Sequence, residues 1–449
     1  MDGLPGLVRG QTQIFADDVM VASKAGVNRR VHACDKLASP VMAGVEPWEA
    51  ADVDPRVYLY GTVARDAERG GYRMWYMRNP NRVLHATSVD GIRWEGSAEN
   101  GPLVSLHSPS VVEDPRDPDP RRRYRMLGCA GRPMESGYAV AHSSDGLTWE
   151  LYARNPVLPG SDTCTLAHDP VTGEYLAFHK LYHEYRGHRR RLVYLSTSRD
   201  MQDWSEPALV MAPDETDDGQ TQSEGGLFSE FYNMSAFPYG GQWLGLVTHF
   251  RYCGGPPDEG PQQSPHDGPI DVQLVHSRDG RDWHRCEDRS PVIPNGPHAY
   301  DAGCILGVAN QPVQVDDSLW IYYSAITTTH GGHLPEKECT IARGTWRLDG
   351  WVSLDAGPQR GTVETVALRL PGGRLMVNAE AAGGLVRVEV TDEAGVPLPG
   401  YSLADCEPLH GDGVRQPVRW QGRSKLPGQV PVRLRFSLER ASLYSYVVA

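Results

Sequence analysis

The chain is short of lysine, of long apolar runs and of cysteines at a metal-binding spacing, and each shortage narrows what it can be. Lysine supplies five of its 44 basic residues, and 57 acids leave a formal net charge of −13. A nucleic acid or an anionic membrane calls for a basic face that neutralises phosphates, so neither is expected as a partner. No stretch approaches the ~18 apolar residues of a membrane-spanning helix. The opening Met1-Asp2-Gly3-Leu4-Pro5 lacks the basic and apolar regions of a signal peptide, and a cytoplasmic setting is expected. The eight cysteines, at 34, 129, 164, 253, 286, 304, 339 and 406, never fall as Cys-x-x-Cys. They signal neither a zinc site nor a disulfide framework, and read as mostly buried free thiols.

What the chain does have is a repeat. Ser88-x-Asp90-Gly91-x-x-Trp94 returns as Ser143-x-Asp145-Gly146-x-x-Trp149, Ser198-x-Asp200-x-x-x-Trp204 and Ser277-x-Asp279-Gly280-x-x-Trp283, with 55, 55 and 79 residues between successive tryptophans. A period near 50 in a strand-rich chain marks a β-propeller, in which each repeat is one blade. Asp-Gly suits a tight turn and the Trp would pack between blades, so the phrase reads as structural. Alternating β-branched and aromatic residues predict four strands per repeat, A to D outward from the channel. Strand A is expected at 57–64, 110–113, 163–167, 232–238 and 303–308, and strand B at 72–77, 124–128, 175–179, 243–249 and 319–324. The fifth copy ends in a degenerate phrase, Arg347-Leu348-Asp349-Gly350-Trp351. A strand over 13–21 is expected to help close the ring. From about 353 onward, alternating segments such as 375–379, 385–390 and 432–436 predict a β-sandwich. The expected fold is therefore all-β: a five-bladed β-propeller over 1–352, N-terminal closing segment included, and a C-terminal β-sandwich over 353–449. With no Gly/Ser-rich linker between them, the two are expected to pack rigidly.

Strand order sorts the faces. The A–B and C–D turns share one face, with the Asp-Gly phrases and the pairs Asp114-Pro115 and Asp169-Pro170, which read as hairpin formers. The other face holds the A-strand starts, the B-strand ends and the longer loops, including 205–229 and 250–270, and is where binding and chemistry are expected. Acids stand at three predicted A-strand starts, Asp162, Glu230 and Asp301, and these are the candidate catalytic residues. Asp162 and Asp301 read equally well as capping carboxylates. Glu230, beside Phe231 and Tyr232, is a candidate raised-pKa proton donor or, equally, a solvated loop acid. Candidate substrate contacts are His107, His179, His249, Arg251, Tyr232, Tyr300 and His330, with Trp48, Trp75 and Trp243 as further stacking faces, the latter two reading more as core. His330-Gly331-Gly332-His333 lacks a third ligand at a recognisable spacing, so no metal ligands are assigned. No cofactor is implied, and a structural calcium ion in the channel stays open. Imidazoles and carboxylates sharing one pocket are expected to raise the histidines and lower some acids, while burial pushes one acid up.

The stretch Ala86-Thr87-Ser88-Val89-Asp90-Gly91-Ile92-Arg93-Trp94 with its copies, and B-strand pairings such as Tyr72-Arg73-Met74-Trp75-Tyr76, resemble the invertase-like glycoside hydrolases of families 32, 43, 62 and 68. The resemblance covers nearly the whole chain in layout. It implies a five-bladed propeller with an attached β-sandwich and three acids at A-strand starts: a nucleophile or base, a transition-state stabiliser and a Glu acid. The chain departs from that pattern. The first-blade Asn-Asp-Pro-Asn is absent, Arg116-Asp117-Pro118 precedes a B strand, Ser108 stands at the matching place in blade two, and Glu-Cys is missing from a suitable place. Asp162 fits best, one blade late. The leading expectation is a hydrolase of a glycosidic or related acetal bond in a small-molecule or oligosaccharide substrate, since two carboxyl groups can flank an oxocarbenium-like centre. The alternative is a propeller that binds a sugar or biosynthetic intermediate without hydrolysing it, or promotes a lyase or cyclisation step. A protein-binding platform would instead expose apolar patches where His, Arg and acids are predicted.

Overall fold

The computed structural model describes residues 5–44, 56–78, 81–96, 103–130, 137–260, 264–428 and 430–449. Strands rich in Val, Leu, Tyr and Trp, each crossed by short polar turns, form five four-stranded antiparallel units. Blade one runs Val57–Arg65, Tyr72–Arg78, Arg82–Ser88, Glu95–Gly96. Blade two runs His107–Glu113, Tyr124–Cys129, Tyr138–Ser143, Glu150–Leu151. Blade three runs Cys164–His168, Tyr175–Tyr185, His188–Ser198, Ala208–Met211. Blade four runs Phe228–Tyr239, Gln242–Tyr252, Ile270–Ser277, Trp283–Arg285. Blade five takes Cys304–Val308, Ser318–Ile326 and Cys339–Arg347, and its outer strand is Asp35–Lys36 from the N-terminal region. Blades four and five share one sheet only through the parallel pair Ile270 and Cys304.

The A strands pack successively around a ring that closes from blade five back to blade one. Hydrogen bonds stitch each junction: Thr62 Oγ1 to the Val111 carbonyl (2.8 Å), Leu166 N to Ser110 Oγ (2.9 Å), Thr165 Oγ1 to the Met234 carbonyl, Ser235 Oγ to the Val308 carbonyl (3.0 Å) and Asn310 N to the Gly61 carbonyl (3.1 Å). Asn310 also spans the channel, its Nδ2 donating to the carbonyls of Val111 (2.9 Å) and Leu166 (3.2 Å).

The repeated phrase is a docking device. Ser143 Oγ accepts from Gly146 N (2.9 Å), and Asp145 Oδ1 from Leu147 N and Thr148 N (both 2.8 Å), which fixes a compact loop before strand D. The loop then presents carbonyls to the preceding blade: Trp75 Nε1 donates to the Gly146 carbonyl at 2.7 Å, and Arg73 Nη2 to that of Asp145 at 2.6 Å. Gly146 has φ 75°, and a Cβ there would lie 2.8 Å from the Trp75 ring, so both conformation and contact favour glycine. The tryptophans do pack between blades: Trp94 meets Tyr322 edge-on at 5.6 Å and Trp283 meets Phe178 at 5.7 Å. Trp75 and Trp243 lie in blade cores, and Trp48 lies outside the described residues.

Val104–Ser105 and Val313–Val315 add to blades one and five, and the ten other strands form one sheet folded over on itself as a β-sandwich around a separate core. Its spine is Leu375–Thr391, whose first half pairs with Ala441–Val448 and whose second half pairs with Pro431–Glu439. The strand expected over 13–21 to close the ring belongs here instead. Gln13–Ile14 pairs with Ala441–Val448 and Val21–Ala25 with Gly361–Thr365. Between them Asp17 breaks the strand by accepting from Val19 N (3.0 Å), and Asp35–Lys36 supplies the ring-closing pairing. The degenerate fifth phrase joins the two layers: buried Asp349 accepts from Tyr239 (2.7 Å), Arg415 (2.6 Å) and Ser445 (2.7 Å). All eight cysteines are free thiols and seven are buried. Among the described residues no helix is long and apolar enough to cross a membrane.

Candidate active site

At the face where A strands begin and B strands end, blades one to five surround a cluster that strand alternation selects. In the B strand of blade three, Lys180 meets Asp162 and, in blade four, Tyr232, while its neighbour His179 packs on Tyr138 of blade two. In blade four, Phe250 packs on Tyr232 and His330, and His249 on Phe231. The chain enters strand A of blade three through Asp162, whose φ is 75°, and that of blade two through Ser108, at φ 52°. Non-glycine residues held at positive φ cost free energy and mark places that the surroundings over-determine.

The Asp162 carboxylate is 19% exposed and binds three groups. Its Oδ1 accepts from His107 Nε2 at 2.9 Å, and its Oδ2 accepts from Lys180 Nζ and from the Tyr232 hydroxyl at 3.1 Å. Lys180 Nζ also lies 4.0 Å from the centre of the Tyr232 ring. Burial pushes the Asp162 carboxyl up, but Lys180 and His107 outweigh it and hold the group well below the usual carboxylate range. Burial, with Asp162 beside it, raises the Tyr232 phenol well above its ordinary value, so the hydroxyl keeps its proton. One layer away, Glu230 Oε1 accepts from Arg191 N (3.1 Å) and Oε2 from the Arg191 guanidinium. That guanidinium lies over Tyr182 (5.2 Å), Tyr232 (5.3 Å) and Phe250 (5.2 Å). His330 packs on Tyr232 (5.3 Å) and Phe250 (5.1 Å) and donates from Nδ1 to the His266 carbonyl (2.8 Å). Tyr60 closes the wall against His107, at 5.8 Å between ring centres.

Asp162, His107, Tyr232, Glu230 and His330 therefore converge as expected from strand order, but the other candidates do not join them. Asp301 is fully buried toward the outer strand of blade five, bound by Lys36 Nζ (2.5 Å) and the Tyr323 hydroxyl (3.0 Å). The short helical turn Ala299–Asp301 swings it off the axis three residues before the strand starts. Tyr300 goes with it, donating to the Leu37 carbonyl at 2.6 Å. His179 is bonded to Ser196 (3.1 Å) and packed edge-on against Tyr138 (5.5 Å). His249 is bonded to Ser229 (2.8 Å) and Gln273 (3.1 Å), and Arg251 is paired with Asp271 and Glu224. The last two support the helix Glu215–Ser223, which fills much of the long 205–229 segment and is clamped through Asp217 and Asp218 by Arg285, Arg289 and Arg190. Glu230 reaches the mouth, yet both its oxygens already accept N–H donors, an arrangement that presents no proton to a substrate. Three of the candidate histidines are lowered, against the expectation that carboxylates raise them. Burial lowers His179 to about 4, burial with Lys337 and Arg191 lowers His330 to about 3, and burial with Arg285 and Arg251 lowers His249 well below the usual value. The acid pushed up by burial is Asp271, in the network under the helix. His333 turns from His330 to the Leu334 carbonyl, 2.9 Å from its Nδ1.

Tyr182, Arg191 and Phe250 lie at this face without having been singled out in the sequence, and Lys180 stood there among the polar B-strand ends without being taken as a candidate. Their signal was Arg186-Gly187, a two-residue hairpin with φ 53° and 78°. It extends the B and C strands of blade three to Tyr185 and from His188, where a loop over 180–191 had been expected. Tyr182 then lies opposite Arg191 in register, on the same side as Lys180.

No protein-family model and no curated protein matches the chain. Solved structures do. A β-1,2-mannobiose phosphorylase from Listeria innocua is 12% identical, covering 72% of this chain and 97% of its own, with a TM-score of 0.46. An N-acetylgalactosamine deacetylase from F. plautii is 14% identical, covering 73% and 97%, with a TM-score of 0.45. A GH32 β-fructofuranosidase from Bombyx mori is 11% identical, covering 92% and 94%, with a TM-score of 0.42. Identities this low and TM-scores below 0.5 transfer no residue role, so the chemistry of this chain is read from its own side chains.

Proposed function

We propose that the chain is a carbohydrate-active enzyme that works at the axial mouth, with Asp162 as its central carboxylate. The observation that supports this reading is a strained, partly exposed acid, kept ionised by Lys180 and His107 and touched by a protonated phenol, at the mouth of a propeller channel. Such a carboxylate stabilises the positive charge that grows at an acetal carbon as its bond breaks. Tyr182, partly exposed at the mouth, gives a flat face on which a sugar ring can stack. The cytoplasmic setting, and a reaction that needs no cofactor, remain parts of the same proposal.

Hydrolysis by paired carboxyl groups also needs a free acid for the leaving oxygen. Glu230 is tied to Arg191 and Asp301 lies off the axis, which favours a second reading: a sugar or biosynthetic intermediate bound without hydrolysis, or carried through a lyase or cyclisation step with the Tyr232 hydroxyl as proton carrier. A screen of aryl glycosides and furanosides, run with and without EDTA, tests both. Turnover that falls about 10²–10⁴-fold in Asp162→Asn, with the fold intact by circular dichroism and EDTA without effect, is the expected result. Unchanged turnover in Asp162→Asn removes the proposal, full turnover in Glu230→Gln removes Glu230 from the reaction, and sugar binding without turnover of any glycoside selects the second reading.

A further inference from the structure

Beside the axial mouth, a cavity of about 430 Å³ is lined by Arg56, Leu334, Pro335, Lys337, Cys339 and Thr340. Lys337 is 5% exposed. Its ammonium makes one hydrogen bond, to the His330 carbonyl at 2.5 Å, and has no ion pair among the described residues. Every other buried lysine of the ring is matched by a carboxylate: Lys36 by Asp301 and Lys180 by Asp162. Asp267, whose charge acts on Lys337, forms no ion pair with it, and its Oδ1 accepts from Gly268 N and Gly331 N, both at 2.8 Å. Glu338 lines the cavity from an exposed position. Arg56 adds a second positive charge on the same wall, and burial together with Arg56 lowers the Lys337 ammonium from its ordinary value. Two like charges facing one cavity, one without a counter-charge, are costly unless something anionic enters.

We infer that this cavity receives the anionic group of the substrate, a carboxylate or a phosphate on a sugar, with Lys337 as its principal partner. This rests on the carbohydrate reading above and names the substrate class within it. The link to Asp162 runs through two side chains: Lys337 holds the His330 carbonyl, the His330 ring packs on Tyr232, and the Tyr232 hydroxyl binds Asp162. An anion on Lys337 would thus be coupled to the reacting carboxylate through that chain of contacts.

The test is titration of the full chain with D-glucuronate, glucose 6-phosphate, inorganic phosphate and D-glucose, read by calorimetry and by shift in Tm, for the native protein, Lys337→Met and Asp162→Asn. The expected result is that at least one sugar anion binds about tenfold or more tighter than glucose, as a charge-assisted contact requires. Lys337→Met should lose that preference while keeping glucose binding, and its ligand-free Tm should rise, because the uncompensated charge is gone. Glucuronate alone showing the preference assigns a carboxylate, and glucose 6-phosphate with inorganic phosphate assigns a phosphate. Equal binding of glucose and both anions, an undiminished preference in Lys337→Met, or a lowered ligand-free Tm in that variant would overturn the inference. Asp162→Asn should keep the anion preference whether or not it retains turnover, so failure here is distinct from failure of the proposed reaction.

Discussion

Replacing Lys180 by Met isolates the interaction that organises the mouth. Lys180 is 1% exposed and Asp162 19%. Removing one partner of a buried pair typically costs about 3–5 kcal/mol, because the other charge is left without compensation. Asp162 keeps His107 and Tyr232, so the lower end, about 3 kcal/mol, applies. An exposed pair would cost only about 0–1 kcal/mol. The assay is urea unfolding followed by tryptophan fluorescence, reading midpoints at unchanged slope. The double variant Lys180→Met/Asp162→Asn should regain more than half of the loss, since the stranded charge goes too. The pH dependence carries a sign. In the native protein Asp162 is depressed, so its contribution is present above the unfolded value of 3.8 and is lost as pH falls through the lower folded value. Without Lys180, burial is less opposed and the folded pKa rises, so the deficit of the single variant should shrink on going from pH 7 toward pH 4. A single-variant cost under about 1 kcal/mol, or strictly additive losses in the double variant, would refute the reasoning.

Lys36→Met should destabilise the protein while leaving kcat/KM unchanged, because Asp301 binds it away from the mouth; altered kinetics at equal substrate saturation would put Asp301 back in the site. Stability should decline as pH falls from 6.5 toward 4, because unfolded imidazoles take up protons that buried His179, His249 and His330 refuse. His179, lowered to about 4, contributes about 3 kcal/mol of that decline, so a flat midpoint between pH 7 and 4.5 would contradict its burial. The division at 352/353 is proposed as a boundary in sequence but not in folding: residues 353–449 expressed alone should stay unfolded by circular dichroism, because Gln13–Ile14, Val21–Ala25 and Val27–Val31 complete their sheet.

The ring was legible because its signal is periodic and local. Each Ser-x-Asp-Gly turn is built within four residues, and copies at a fixed step announce the blade. Even Met201, where the other copies have glycine, keeps φ at 70° and the same bonds from Ser198 and Asp200. Strand order then identified the face, and with it Asp162, His107, Tyr232, Glu230 and His330. The N-terminal strands were harder to place, since residues 13–31 and 35–36 find partners more than 300 positions away, in two different sheets. Nothing local in their sequence chooses between those edges.

The misplaced candidates share a physical cause. In a strand, neighbouring side chains leave on opposite sides, so an error of one residue exchanges one neighbouring blade for the other: His179 meets Tyr138 of blade two, and Lys180 meets Tyr232 of blade four. His179 and His249 are conspicuous in sequence, yet their imidazoles are taken up within their own blades, His179 by Ser196 and His249 by Ser229 and Gln273. The adjacent Lys180, noted at a B-strand end but not taken as a candidate, and Phe250 are the residues that meet Asp162, Tyr232 and His330. A search for acids also looks at the wrong sign here. Asp162 and Glu230 are each bound to a cation, while Arg56 and Lys337 add two more positive charges nearby. In a chain with net charge −13 the mouth thus ties each of its acids to a cation, and the pairs together set the geometry that a ligand meets.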